Sequence, residues 1–160
     1  MTGWPQLLQD SLRTGVVAGA TTTLVVAACG EVESGNAIAP LNAMSHIVWG
    51  KEATTQSEAS WKYTATGVAL TLAATTSWAG LHELFCGRAA HEGDAAGAFF
   101  VGTFVSALAY VTDYHIVPKR LTPGFEKLRS NRSILGIYTA LALGLALGSL
   151  WRPDGERSQR

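Results

Sequence analysis

A chain of 160 residues with 12 basic and 12 acidic side chains, zero net charge and two cysteines has room for one domain. It gives no electrostatic footing for a nucleic-acid partner and cannot carry a disulfide framework. The charges are also unevenly spread. Thr14–Gly30, Tyr63–Leu81, Ala95–Thr112 and Ser133–Trp151 carry none for 17 to 19 positions each, close to the roughly 20 apolar residues that cross a bilayer core. A soluble helical bundle would keep a charged face along each helix, and these stretches have none. The pattern predicts an all-α polytopic membrane protein, one domain over 1–160. Four transmembrane helices are expected in a bundle, at about 6–30, 61–85, 94–114 and 133–151, with a short interfacial helix at about 39–50.

The first span opens on Trp4-Pro5, and proline suits the first turn of a helix. The run is longer than a signal-peptide core and three more follow, so it reads as a retained helix. Asp10 and Arg13 are spaced as neighbours on one face. In the long connection Glu31–Trp61, the uncharged piece Asn36–Gly50 is interrupted by Pro40. Leu41, Met44 and Val48 fall on one helical face and Asn42 and His46 on another, with Trp49 suited to a membrane–water boundary. That predicts an interfacial or re-entrant helix. The second span begins near Trp61, the third runs from Asp94 to about Tyr114, and Asn131 or Ser133 is the expected cap of the fourth. Cys29 and Cys86 fall at opposite ends of antiparallel neighbours and should not pair.

Four spans put the segments after helices one and three on one side, with Lys51, Lys62, Lys119, Arg120, Lys127, Arg129 and Arg132. The other side holds Arg13, Arg88, Arg152, Arg157 and Arg160. The excess of basic residues places loops one and three in the cytoplasm by a narrow margin. Small residues recur every fourth position on the last span, at Gly136, Ala140, Gly144 and Gly148, and on the others at Gly15 and Gly19, Gly67 to Ala79, and Ala98 to Ser106. Such stripes let helix backbones approach in lipid. They fit packing within the chain or, on the last span, a homo-oligomer interface.

The polar residues divide by side. His46, Asp113 and His115, with Glu31 and Glu33 nearby, gather at the loop-one side. Two imidazoles and a carboxylate suit a divalent transition metal or a proton relay, or a helix end meeting headgroups. His46 and His115 are the one histidine pair that could ligate a haem. At the opposite side His82, Glu83 and Cys86 lie within two turns. His82 and Cys86 share a face, but a zinc site wants three or four ligands, so His91 or Asp10 would have to complete it. Glu83 is the leading candidate, because an ionisable group near membrane depth is a functional site by default. Arg13 or Arg88 is its expected partner. No phosphate-binding loop, nucleophile elbow or dinucleotide fingerprint is present.

The segments Ala39-Pro40-Leu41-Asn42-Ala43-Met44-Ser45-His46-Ile47-Val48-Trp49-Gly50 and Pro118-Lys119-Arg120-Leu121-Thr122-Pro123-Gly124-Phe125-Glu126 resemble a group of uncharacterised bacterial integral membrane proteins of similar length. The resemblance covers most of the span plan. It implies a multi-pass protein of the bacterial inner membrane and carries over no site residues.

The expected function is therefore that of a non-enzymatic scaffold or accessory subunit, docking a membrane partner through the face formed by 31–60 and 115–132. No resident cofactor is expected. Two other readings stay open. One is a metal- or haem-binding redox protein using His46, Asp113 and His115, which bound metal or visible absorbance would reveal. The other is an oligomeric ion or proton conductor with Glu83 in its path.

Overall fold

The computed structural model describes residues 3–91, 94–118, 120–123 and 130–151. Among them every regular element is helical. α1 spans Trp4–Ser34, α2 Ala39–Met44, α3 His46–Trp49, α4 Thr66–His91, α5 Ala95–Val111 and α6 Asn131–Leu150. A 3-10 segment, Gly50–Thr55, follows α3. A π turn, Trp61–Ala65, leads into α4, and a second, Thr112–Ile116, extends α5. Three of these rods, Trp4–Ser34, Ala95–Ile116 and Asn131–Leu150, are long and apolar enough to cross a membrane. The Arg88 and His91 side chains, Lys119, residues 124–129 and the arginines at 152, 157 and 160 lie outside what is described.

The helix ends follow local chemistry. Pro5 sits in the first turn of α1 as expected. That helix runs beyond Gly30 because nothing breaks it before Gly35, which takes the left-handed conformation at φ 67° and donates its N–H to the Glu31 carbonyl. Asp94 caps α5 by accepting from the Gly97 N–H at 2.9 Å. The cap of α6 is Ser130, which accepts from the Arg132 N–H, rather than Asn131 or Ser133.

α1 packs on α6 and α4, and α5 closes the group by packing on both. Glycines set the spacing. A Cβ on Gly144 would stand 2.6 Å from the Ala18 Cα, and one on Gly148 would stand 2.8 Å from the Thr14 Cα. The two contacts run in opposite directions along the chain, so α1 and α6 are antiparallel. Most of the Gly136–Gly148 stripe therefore serves α1 within the chain. Among the described residues, Gly136 alone of those glycines has nothing within 4 Å of an added Cβ. Gly15 and Gly19 meet α4 in the same way, and Gly102 meets the Ala142 carbonyl.

The distribution of polarity is inside out. Asp10, Thr14, Thr22, Thr71, Thr75, His82, Glu83 and Ser106 are buried, whereas Leu8, Leu12, Val16, Leu24, Phe100, Phe104, Leu135 and Leu147 are exposed. Water would impose the reverse. Lipid favours exposed apolar side chains and polar groups satisfied by protein.

Residues 36–60 differ from the expected single interfacial helix. The helix breaks at Ser45, and Leu41–Ser45 are buried rather than laid out along a surface. Gly67 of α4 lets the Leu41 carbonyl come within 2.0 Å of where a Cβ would stand. Asn42, expected on a polar outer face, is fully buried. It donates to the Gln56 and Glu58 carbonyls at 3.1 and 3.0 Å and accepts from the Thr64 hydroxyl at 2.6 Å. The segment is thus a folded cap pegged to α4. Asn42→Ala should cost about 1–3 kcal/mol and raise amide exchange across 36–60. Unchanged protection there would show that the peg does not hold the cap.

Candidate functional site

Two polar clusters sit at opposite ends of the helices. At the first, α1 contributes Asp10, Arg13 and Thr14, and α4 contributes His82, Glu83 and Cys86. Arg13 reaches Asp10 at 2.6 Å, the neighbour pair their spacing predicted. Glu83 is only 4% exposed and has no bond to Arg13; Arg88, the other expected partner, lies outside the described side chains. Its Oε1 accepts instead from the Thr14 hydroxyl at 2.7 Å. Its Oε2, buried as well, has no hydrogen-bond partner among the described residues.

His82 is fully buried one residue earlier. Its Nε2 lies 3.2 Å from the Ala98 carbonyl of α5. A carbonyl can only accept, so Nε2 carries the proton and donates. Nδ1 is left without a partner among the described residues. Cys86, one turn on, is buried against Ala98 and Ala146. His82 and Cys86 thus share the α5-facing side, as their spacing requires. Neither cysteine forms a disulfide.

Unpaired buried polar atoms cost roughly 1–3 kcal/mol each and are uncommon in native folds. Two on adjacent ionisable side chains mark this end of α4 as a place where stability is given up. Thr14 opens the uncharged run of α1, so the pair lies near one boundary of the apolar zone, enclosed by protein.

At the second cluster the π turn at Thr112–Ile116 carries Asp113 and His115. A π turn widens the helix and shifts which side chains face inward. Asp113 turns toward α6 and accepts from the Tyr138 hydroxyl at 2.7 Å. The Tyr138 ring stands edge-on to Tyr110, with centroids 5.3 Å apart. His115 stays exposed, edge-on to Tyr110 at 5.9 Å. His46 has its Nδ1 2.8 Å from the Ala43 carbonyl, one turn back on its own segment. The three candidates share an end of the molecule but not one site. No group of three or more His, Cys, Asp or Glu side chains placed to hold a metal ion occurs among the described residues. Glu33, at the same end, accepts from the Ser133 hydroxyl and ties α1 to α6.

Sequence reasoning passed over the threonines. Thr71 and Thr75 read as small packing residues, yet Thr75 donates to the Gly15 carbonyl at 3.0 Å and Thr71 reaches the Met44 sulfur at 3.0 Å. Thr22 is buried with a hydroxyl that has no partner among the described residues. Their four-residue spacing on α4 was the available signal, and it is the same spacing that packing alone produces. No protein-family model, curated protein or solved structure matches this chain.

Proposed function

We propose that the chain is a four-span protein of the bacterial inner membrane that relays protons through the buried His82–Glu83 pair. The observation that carries this reading is a pair of atoms on adjacent buried residues, Glu83 Oε2 and His82 Nδ1, that have no hydrogen-bond partner among the described residues. A carboxylate and an imidazole can each take up and release a proton near neutral pH when their surroundings tune them. Ionisable groups held inside membrane helices at a cost to stability are retained for such work. Support for a fourth span comes from α4, which with its leading π turn is continuous from Trp61 to His91 and packs beside α1 and α5. Its threonines and alanines lower its hydropathy without adding charge across Tyr63–Leu81.

The test is proton flux into liposomes carrying the purified protein and a trapped pH dye. Glu83→Gln keeps the shape and the Thr14 contact but cannot titrate, and should cut flux by about a hundredfold. Equal flux from a correctly folded variant removes the reading. So does a wild-type protein whose liposomes hold an imposed gradient as well as empty ones.

Partner docking through the loop-one end keeps one observation in its favour. The cap consumes its polar groups internally, as with Tyr63 donating to Glu52 at 2.5 Å, yet leaves Val48, Trp49 and the 92% exposed Trp61 outward. A photo-crosslinker at Trp61 in native membranes should then capture one protein in constant ratio. A spread of lipid adducts alone would sink this second reading.

A further inference from the structure

α5 and α6 touch near their middles. A Cβ on Gly102 would stand 2.7 Å from the Ala142 carbonyl oxygen, and the Ser106 hydroxyl donates to the Tyr138 carbonyl. From these contacts toward the end where α6 begins, a cavity of about 530 Å³ opens between the two helices. That lies within the roughly 300–1,000 Å³ of small-ligand sites. We infer that it holds one anionic phospholipid, with an acyl chain along the groove and the phosphate headgroup at Arg132.

The shape fits a hydrocarbon chain from one leaflet. The α6 wall runs from Asn131 to Ala142, about 16 Å of helix and about half of a bilayer core roughly 30 Å thick. The mouth lies at the polar boundary, since the uncharged run of α6 starts at Ser133. The deep end is shut by the Gly102–Ala142 contact, so a chain can follow the groove to about the midplane and no farther. Ala107, Val111, Ile134 and Leu135 supply apolar surface, and Tyr110 and Tyr138 supply rings held edge-on to each other at 5.3 Å. No charged side chain among the described residues lines the groove. Ala107, Leu135 and Thr139 are exposed on the outside of the bundle, so a chain enters directly from lipid.

The mouth is positive. Arg132 follows Asn131 in the first turn of α6, is exposed, and joins no ion pair among the described residues. In sequence, the segment from Pro118 to Arg132 carries five basic residues against Glu126 as its one acidic residue. Basic residues beside a membrane helix draw anionic headgroups, each worth about fivefold in affinity. Asp113, the carboxylate of the π turn after α5, accepts from the Tyr138 hydroxyl and is not part of the lining. Charge selects the headgroup and groove length selects the tail. A neutral prenyl chain would leave Arg132 unused.

Photolabelling tests the site in phosphatidylcholine nanodiscs carrying a trace of phosphatidylglycerol with a diazirine halfway along one chain. Peptide mass spectrometry should find the adducts concentrated on residues 103–111 and 134–142. Phosphatidylcholine with the same labelled chain should react there at least about fivefold less. Arg132→Gln should lower the phosphatidylglycerol signal by about fivefold. Ala107→Phe puts a ring in the groove and should abolish the adducts; Ala107→Leu carries the same expectation if the larger side chain prevents folding. Adducts spread evenly over the groove and over Phe100 and Leu147, which are exposed elsewhere, overturn the site. So do equal labelling by the two lipids and adducts that persist in a folded Ala107→Phe or Ala107→Leu. Label kept off both helices, as a second copy seated on the groove would cause, also overturns it. Displacement of the label by excess prenylquinone but not by excess unlabelled phosphatidylglycerol does the same.

Discussion

Gly144→Ala should lower the stability of the fold by about 2–3 kcal/mol, whereas Gly136→Ala, on the same face of the same helix, should be neutral or gain a few tenths to about 1 kcal/mol. The two positions are equivalent in sequence and opposite in surroundings. At Gly144 the new carbon meets the Ala18 Cα at 2.6 Å and the Thr21 hydroxyl at 2.3 Å. The hydroxyl can swing away, but the backbone carbon cannot. α1 and α6 must separate, and that loosens the Thr21 bond to the Ala140 carbonyl at 3.3 Å as well. At Gly136 no described residue stands within 4 Å, so the methyl only removes conformational freedom from the unfolded chain. Reversible denaturation of the purified protein in mixed micelles gives both values. Equal midpoints would mean that α1 and α6 do not meet at Gly144.

The second large effect belongs to Gly67. Its added Cβ would fall 2.0 Å from the Leu41 carbonyl oxygen and 3.1 Å from the carbonyl carbon. α2 cannot yield locally, because Asn42 is held on three sides and the Met44 sulfur is held by Thr71. Gly67→Ala should therefore lift the whole cap off α4, at a cost toward the upper end of the roughly 1–3 kcal/mol range for overpacking. Lys51, exposed in the 3-10 segment, reports the change. Trypsin should cut there at least about tenfold faster, since each 1.4 kcal/mol of lost local stability multiplies the open population by ten. Cutting at the wild-type rate would place the Leu41 carbonyl elsewhere. Both substitutions leave Glu83 and His82 in place, so proton flux can be followed in the same preparations.

The long helices were legible because charge is absent from them, and absence of charge over a span's length has few physical causes. The Asp10–Arg13 neighbours, the Pro5 start and the lack of a Cys29–Cys86 disulfide were legible for equally local reasons. The cap was not. Periodicity put Asn42 on a different face from Leu41, Met44 and Val48, and the arrival of Gln56, Glu58 and Thr64 from later in the chain makes that position an interior one. The candidate trio His46, Asp113 and His115 shared an end of the molecule, as topology required. Topology fixes the end and not the direction of a side chain, and the π turn sent Asp113 inward and left His115 outside. Glu83 was singled out from its charge and depth, with an arginine as its expected partner; the bond it makes among the described residues is to the Thr14 hydroxyl. In a polar seam between helices, a threonine hydroxyl makes the nearer bond. Threonine escaped notice because it fits both uses, small enough for close packing and polar enough for a hydrogen bond.

The contact between α1 and α6 sets a timetable for synthesis. α1 is made first among the described helices and α6 last, and the glycines of one seat on the backbone of the other. Until α6 emerges, the α1 surface around Thr14, Val17 and Ala18 has no seat within the chain. The cap has a similar delay, since Pro40 leans on Gly30 while Leu41 waits for Gly67. Insertion therefore leaves an early helix holding an open seam in the bilayer for most of translation. A ribosome stalled before Asn131 would release a chain in which the Ala18 seam of α1 is unfilled and Thr21 lacks the Ala140 carbonyl.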